Sequence, residues 1–274
     1  MKIRKDKRNT SYNFIFGLTL TVVMTTLIML GFFWTPYDPE GMTGSLKLAG
    51  PSLAHVFGCD QFGRDVLSRI LSGAGSTLVI GVGTIFIGGS AGVLLGAVTG
   101  YFGGWADEVI MRVNDALAAF PSVLLALVII SVAGSGTYRV MLALGIAFIP
   151  SFARVVRGEF MRLREADYVI SARLIGVSAP RIMFVHILPN ILPALLSALT
   201  IGFNNAVLAE AGLSYLGIGV QPPDASLGRM LSESQTYFAS GPWCAVFPGL
   251  FLVLLVLGVG MLGEGILDRF GGGR

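Results

Sequence analysis

The sequence predicts an all-α polytopic membrane protein with six transmembrane helices and both termini in the cytoplasm. Three observations carry that expectation. Of 274 residues, 54% are hydrophobic and 13% charged, with a mean hydropathy of +0.76, more apolar surface than a soluble domain of this size can hide. Charge-free runs cover residues 13–36, 71–106, 116–138 and 192–209, each near or above the ~20 residues that cross a bilayer core. Finally, Lys and Arg gather in alternate connecting segments, which orients the chain.

The predicted spans are residues 13–34, 76–101, 109–133, 138–157, 187–209 and 244–264. The first follows the basic tail 1–12, which begins "MKIRKDKR". Its apolar stretch of about 22 residues exceeds the ~7–15 of a signal-peptide core, and no A-x-A-like site follows it, so it reads as an uncleaved span. The outer loop 35–75 opens with "TPYDPEG" and closes with "GCDQFGRDVLSRILSGAGSTL". Val66, Leu67, Ile70 and Leu71 share one helical face there, and Arg64, Asp65 and Arg69 another. That pattern predicts a short helix along the outer interface, or equally a plain amphipathic linker.

In the second span Gly88, Gly92, Gly96 and Gly100 recur every fourth residue, a stripe on which another helix backbone can approach closely. Pro121, Pro150, Pro189, Pro193 and Pro248 are expected to bend or break spans, because each removes an i−4 hydrogen bond. The fourth span has 14 uncharged residues between Arg139 and Arg154, whose side chains can snorkel from its ends. The outer segment 210–243 is apolar at first but broken by glycines, and is expected to fold back on the outer mouth as a cap or docking surface. Residues 266–274 form a cytoplasmic tail.

With the N-terminus inside, the inner segments hold fourteen Lys and Arg residues: Lys2, Arg4, Lys5, Lys7, Arg8, Arg112, Arg154, Arg157, Arg162, Arg164, Arg173, Arg181, Arg269 and Arg274. The outer segments hold five: Lys47, Arg64, Arg69, Arg139 and Arg229. This bias fixes the expected orientation.

The chemistry that is missing narrows the function. Ion pumps and proton-coupled carriers place ionisable groups at mid-depth, and the predicted spans have almost none. Arg112 and Asp115, three apart near the cytoplasmic end of the third span, are expected to pair locally. Asn204 and Asn205 either line a passage or bond between helices, the second being favoured. Cys59 and Cys244 both fall on the outer side, where two thiols or a disulfide are compatible with the topology. They have no metal-ligand spacing, and His55 and His186 are equally isolated, so no metal site is expected. No histidine is placed to activate a serine, and no G-x-x-x-x-G-K-[ST] loop occurs. The chain is therefore expected to have no catalytic residues and to bind neither ATP, another cofactor nor nucleic acid. It reads as a passage in membrane lipid whose energy comes from elsewhere.

Between two apolar runs lies "EADYVISARLIGVSAPRIMFVHILPN", Glu165 to Asn190. Its acidic start and late Arg173 suit a short helix dipole, Gly176 suits a left-handed stop, and Ser178 with Pro180 suits a new helix start. Val169, Ala172 and Ile175 or Gly176 are expected to project to one side as a knob for a partner's groove, backed by a rod that enters the fifth span.

Tyr168, Val169, Ala172, Arg173, Gly176, Leu188 and Pro189, within "YVISARLIG" and "HILPN", resemble the cytoplasmic coupling loop of permeases in binding-protein-dependent ABC importers. "GCDQFGRDVLSR", "AFPSVLLAL", "EAGLSYLGIGVQPP" and "PWCAVFPG" resemble the dipeptide, oligopeptide and nickel branch, in the same order. The end, "LGEGILDRFGGGR", departs from that pattern. The resemblance covers about residues 30–270 and implies the type I importer permease fold: a five-helix core at 76–265, coupling loop 158–186, and one extra N-terminal span. It also implies a second homologous permease, two P-loop ATPase subunits carrying ATP and Mg, and an extracytoplasmic substrate-binding protein, in a bacterial or archaeal cytoplasmic membrane. Di- or oligopeptides are the first expected substrate and nickel or a metal chelate the alternative. A secondary transporter is remote, since neither a coupling-ion site nor inverted repeats are visible.

Overall fold

A computed structural model of the chain describes residues 7–270. The first six residues and the last four, on which part of the charge argument rests, lie outside the described residues. Among the described residues five helices are long and apolar enough to cross a membrane, and the count is six when the bent pair at 104–133 is taken as one span. In chain order the helices are α1 (Lys7–Phe33), α2 (Val66–Phe102), α3 (Gly104–Ala118), α4 (Ser122–Ala133), α5 (Thr137–Leu163), α6 (Asp167–Leu174), α7 (Ala179–Arg181), α8 (Leu188–Tyr215), α9 (Leu227–Ser234) and α10 (Trp243–Phe270). A π-helical stretch, Ile182–Ile187, joins α7 to α8.

Two expectations about the spans need correction. No separate interfacial helix precedes the second span, because α2 runs unbroken for 37 residues from Val66. Asp65 caps it, its Oδ2 accepting from Ser68 N at 2.8 Å and Ser68 Oγ at 2.7 Å. The apolar residues Val66 and Ile70 enter the protein core instead of a membrane surface. Nothing between residues 66 and 76 stops the helix: Gly73 and Gly75 lie inside it, with Gly73 packed against the Ser226 backbone. The third predicted span, 109–133, is likewise not one helix. α3 and α4 meet at 87°, because Pro121 has no N–H to continue the ladder and disfavours helix at Phe120. Phe120 N turns back to Leu117 O at 3.3 Å, and Pro121 takes an extended ψ of 129° as the cap of α4. Pro150, Pro193 and Pro248 remain inside helices.

The glycine stripe is where the bundle closes. α2 and α5 run parallel, and a Cβ added to Gly88 would lie 2.8 Å from Gly145 O. One on Gly96 would lie 2.6 Å from Ala153 O, and one on Gly100 2.6 Å from Phe160 Cβ, while Gly92 abuts Phe152 Cβ. Only residues without a Cβ permit this approach. α1 packs antiparallel on α10 through Gly17, Gly258 and Gly265. Gly31 meets Leu71, so the C-terminal end of α1 lies beside the start of α2. The bundle thus has two ends, one carrying α6 and the other α9.

At the α6 end Ala97, Tyr101, Val156, Phe160, Ile182, Met183 and Ile187 form a common core with Val169 and Ala172. At the α9 end Ile28, Val66, Ile70, Val207, Leu227, Met230 and Leu255 form another.

Gly96→Leu should drive a side chain into the α5 backbone and destabilise the chain by about 1–3 kcal/mol through overpacking. Gly158→Leu, where no described residue lies within 4 Å of an added Cβ, should leave the thermal midpoint in detergent nearly unchanged. Equal midpoints for the two variants would show that the stripe does not set the packing.

Candidate functional site

The α6 end presents the segment that the sequence singled out. α6 has Asp167 in its first turn and Arg173 in its last, charges that match the helix dipole. Gly176 follows with φ +84°. Its N–H bonds to Arg173 O at 3.1 Å and Val177 N to Ala172 O at 3.0 Å, the paired bonds of a Schellman stop. Among the described residues nothing lies within 4 Å of a Cβ at Gly176, so backbone conformation selects glycine there.

The face that α6 turns outward differs in part from the expected one: Ile175 projects as expected, but Val169 and Ala172 do not. Val169 and Ala172 are 0% and 7% exposed and pack into the bundle, whereas Leu174 and Ile175 are 82% and 81% exposed. An eight-residue helix must bury a face to be stable, and its small apolar residues at i and i+3 fit against Phe160, Tyr101 and Met183. The tip is therefore Leu174–Ile175, flanked by the half-exposed Tyr168 and Ile170. The Arg173 guanidinium lies 5.4 Å from the centroid of the Tyr101 ring of α2.

Past the stop, Ser178 is the N-cap of α7 with extended φ and ψ of −65° and 146°, but its hydroxyl makes no capping bond. The helix start rests instead on Pro180 in its first turn. The π-helical stretch accommodates Pro189, whose missing N–H interrupts the α ladder. Asn190 Nδ2 donates to His186 O at 2.6 Å beside it. Leu188 is half-buried and Pro189 exposed. From Ala179 to Tyr215 the chain forms one continuous rod of 37 residues.

The remaining sequence candidates separate. Arg112 and Asp115 do not pair: Arg112 lies 4.0 Å from Glu108, and Asp115 accepts from Arg154 Nη2 at 3.0 Å. Asp107 forms a two-pronged pair with Arg157, at 2.6 and 2.7 Å, and together these bonds fasten α3 to α5. Asn204 faces Gly260 of α10 with its Oδ1 buried and lacking a hydrogen-bond partner among the described residues, while Asn205 is exposed. The expected interhelical bond is therefore not made by Asn204 Oδ1. Cys59 and Cys244 are free, buried thiols, and Cys244 Sγ lies 3.5 Å from Cys59 O. Burial, with Asp65 and Asp60 nearby, holds the Cys59 thiol above its ordinary pKa.

Sequence reasoning missed a buried ionic cluster at the α9 end. Arg64 Nε meets Asp60 Oδ2 at 2.6 Å, and Arg64 and Arg69 reach Glu233 Oε2 at 3.1 and 3.2 Å. Arg229 Nε holds the other Glu233 oxygen at 3.0 Å. Glu210 was missed too. It is fully buried in α8, accepting from Ser214 Oγ at 2.7 Å and Thr77 Oγ1 at 3.2 Å. Ser214 Oγ in turn receives Val220 N, and Thr77 Oγ1 receives Leu227 N. These contacts fold residues 216–234 onto α2 and α8. The one sequence signal was a run of charge beside apolar residues in "GRDVLSR", but its partner is 164 residues away.

Comparison with known proteins agrees with this architecture. Residues 92–271 match the model of the family described as binding-protein-dependent transport system inner membrane component. A dipeptide transport system permease protein of Alkalihalophilus pseudofirmus is 38% identical over 250 residues, 90% of this chain and 82% of that one. A glutathione transport system permease protein of Escherichia coli O6:K15:H31 is 42% identical over 92% of this chain and 84% of that one. Among solved structures, a chain of the inward-facing MetNI methionine ABC transporter shares the fold, with a TM-score of 0.55 at 22% identity. The match covers 73% of this chain and 92% of that one.

Gly176→Val should cost about 1–3 kcal/mol, confined to the α6 stop, and appear as faster hydrogen exchange over residues 167–177 with little change in the global midpoint. Gly176→Asn, which tolerates the left-handed region, should exchange more slowly than the Val variant. At the other end, Glu233→Ala should cost about 1–3 kcal/mol, because it takes the carboxylate from Arg229 and leaves Arg64 and Arg69 to share Asp60 alone. A midpoint in detergent within a degree of the parent would mean that the cluster does not hold the outer loop.

Proposed function

This chain belongs to the family of binding-protein-dependent transport system inner membrane components, and from that premise we propose that it is one of two permease subunits of an ATP-driven importer of short peptides. The observation that carries the substrate class is the extent of the match to relatives named for dipeptide and glutathione transport, about nine-tenths of this chain. Nickel or a metal chelate is the weaker alternative. Among the described residues no group of three or more His, Cys, Asp or Glu could hold a metal ion, and the relatives cited are peptide permeases.

In this reading a second, homologous permease completes the pathway, and two P-loop ATPase subunits, which bind ATP and Mg, dock at the α6 end. This chain binds no cofactor and hydrolyses nothing. The exposed Leu174 and Ile175 supply an apolar tip for a groove on the ATPase, and the buried Val169 and Ala172 root that tip in the bundle. Tyr168, Arg173 and Gly176 set its edge and angle, and Leu188 and Pro189 carry its movement into α8. An extracytoplasmic binding protein delivers peptide at the α9 end. The α6 end, with Arg154, Arg157, Arg162, Arg164, Arg173 and Arg181, is cytoplasmic by the positive-inside rule, as are both termini. The location is a bacterial cytoplasmic membrane.

ATP binding closes the ATPase pair and displaces both α6 helices, and each rod tilts its half of the pathway from inward- to outward-facing. Leu174→Asp combined with Ile175→Asp should allow the permeases to assemble while abolishing peptide-stimulated ATP turnover and uptake in reconstituted vesicles, since each charge would be desolvated without a partner. Uptake at the parental rate would refute docking at this tip. ATP hydrolysis by the purified chain alone would refute the division of labour.

A further inference from the structure

We propose that a cavity at the α9 end binds a primary ammonium group. The cavity holds about 320 Å³ and lies between the ends of α1, α2 and α5 and the segment that follows α8. Phe32, Ser72, Ser76, Thr137, Tyr138 and Asp224 line it, and among the described residues no Lys, Arg or His does. Its one formal charge is thus the Asp224 carboxylate, which accepts from Thr137 Oγ1 at 2.9 Å.

Ser72 and Ser76 stand one helical turn apart on α2, and Thr137 and Tyr138 open α5. The half-exposed Phe32 ring rests against Gly75, where an added Cβ would touch it at 3.0 Å. A carboxylate, several hydroxyls and an aromatic ring match the three N–H donors and single charge of an ammonium group. One carboxylate among neutral hydroxyls is too little charge to strip water from a divalent ion, which takes more oxygen ligands. The volume is near the lower limit of ligand pockets, about 300 Å³, and suits the amino end of a peptide more than its whole length.

Two molecules can bring an ammonium group to this place: a peptide with a free N-terminus, or an aminophospholipid at the outer interface. The peptide source rests on the import function proposed above; the lipid source does not. Asp224 also lies beside the N-terminal end of α5, where a negative charge is favourable without any ligand. The two roles separate by experiment.

The full complex, without its binding protein, is placed in phosphatidylcholine nanodiscs and titrated calorimetrically with dialanine and N-acetyl-dialanine. Acetylation and Asp224→Asn should each weaken binding by about tenfold or more, the loss of a charge-assisted bond. Ser76→Phe, which fills the cavity without altering charge, should weaken dialanine binding as well. The titration is repeated with phosphatidylethanolamine in the discs. Weaker dialanine binding there assigns the seat to the lipid amine, and unchanged binding assigns it to the peptide. Native mass spectrometry then tests whether ethanolamine lipid is retained in an Asp224-dependent way.

Binding indifferent to both acetylation and Asp224→Asn overturns the proposal. So does an Asp224→Asn variant that loses thermal stability but keeps the preference for the free amine. Absence of both dialanine binding and ethanolamine-lipid retention overturns it too. If the parental complex with its binding protein imports no peptide, the import reading fails separately, and retention of the lipid still decides the site.

Discussion

The direct contact of α2 with α5 is the constraint on which the rest of the structure depends. Two parallel helices touch backbone to backbone for three turns because Gly88, Gly92, Gly96 and Gly100 leave no Cβ between them. In a lipid solvent there is little hydrophobic gain in joining apolar helices, so close van der Waals packing supplies the adhesion. With α5 fixed on α2, its charged side reaches Asp107 and Asp115 and fastens α3. Its last turns and those of α2 then make the bed on which α6 and the start of the long rod lie.

The opposite end is held by different forces. Here the chain carries polar and charged groups into a dry interior, and each is matched: Glu233 to three arginines, Asp65 to a helix start and to His55 Nδ1 at 2.9 Å, Glu210 to two hydroxyls. Such pairs contribute less to net stability than to geometry, because desolvation offsets most of their attraction. Their directional bonds nevertheless hold the loop before α2 and the segment carrying α9 in one arrangement. Both ends have an apolar core, and what sets the α9 end apart is the buried ionic cluster added to it.

Much of this was legible in the sequence, for reasons of periodicity. Apolar runs showed the spans, fourfold glycine spacing showed the close approach, and Gly176 showed a left-handed stop. What failed to show was anything decided by distant partners. The face buried by α6 depends on Tyr101 and Phe160, so Val169 and Ala172 were assigned to the wrong side. Arg64 and Arg69 suggested an interfacial helix because Glu233, their partner, is far away in sequence. Pro121 announced a break but not the size of the turn, 87°, since a missing N–H ends a helix without fixing the direction of the next one. Asn204 and Asn205, adjacent in sequence, point to different surroundings because successive helical residues face directions about 100° apart.

The continuous rod from Ala179 to Tyr215 has a consequence for coupling. Its 37 residues extend about 55 Å at helical rise, enough to join the two membrane faces through one helical body. Near one terminus it carries the Gly176 stop, and near the other Glu210 and Ser214 hold the segment bearing α9. Under the proposed function, a displacement of α6 reaches the segment bearing α9 through this one rod. The π-helical stretch and Pro189 near its start are then the places where that movement is taken up or passed on.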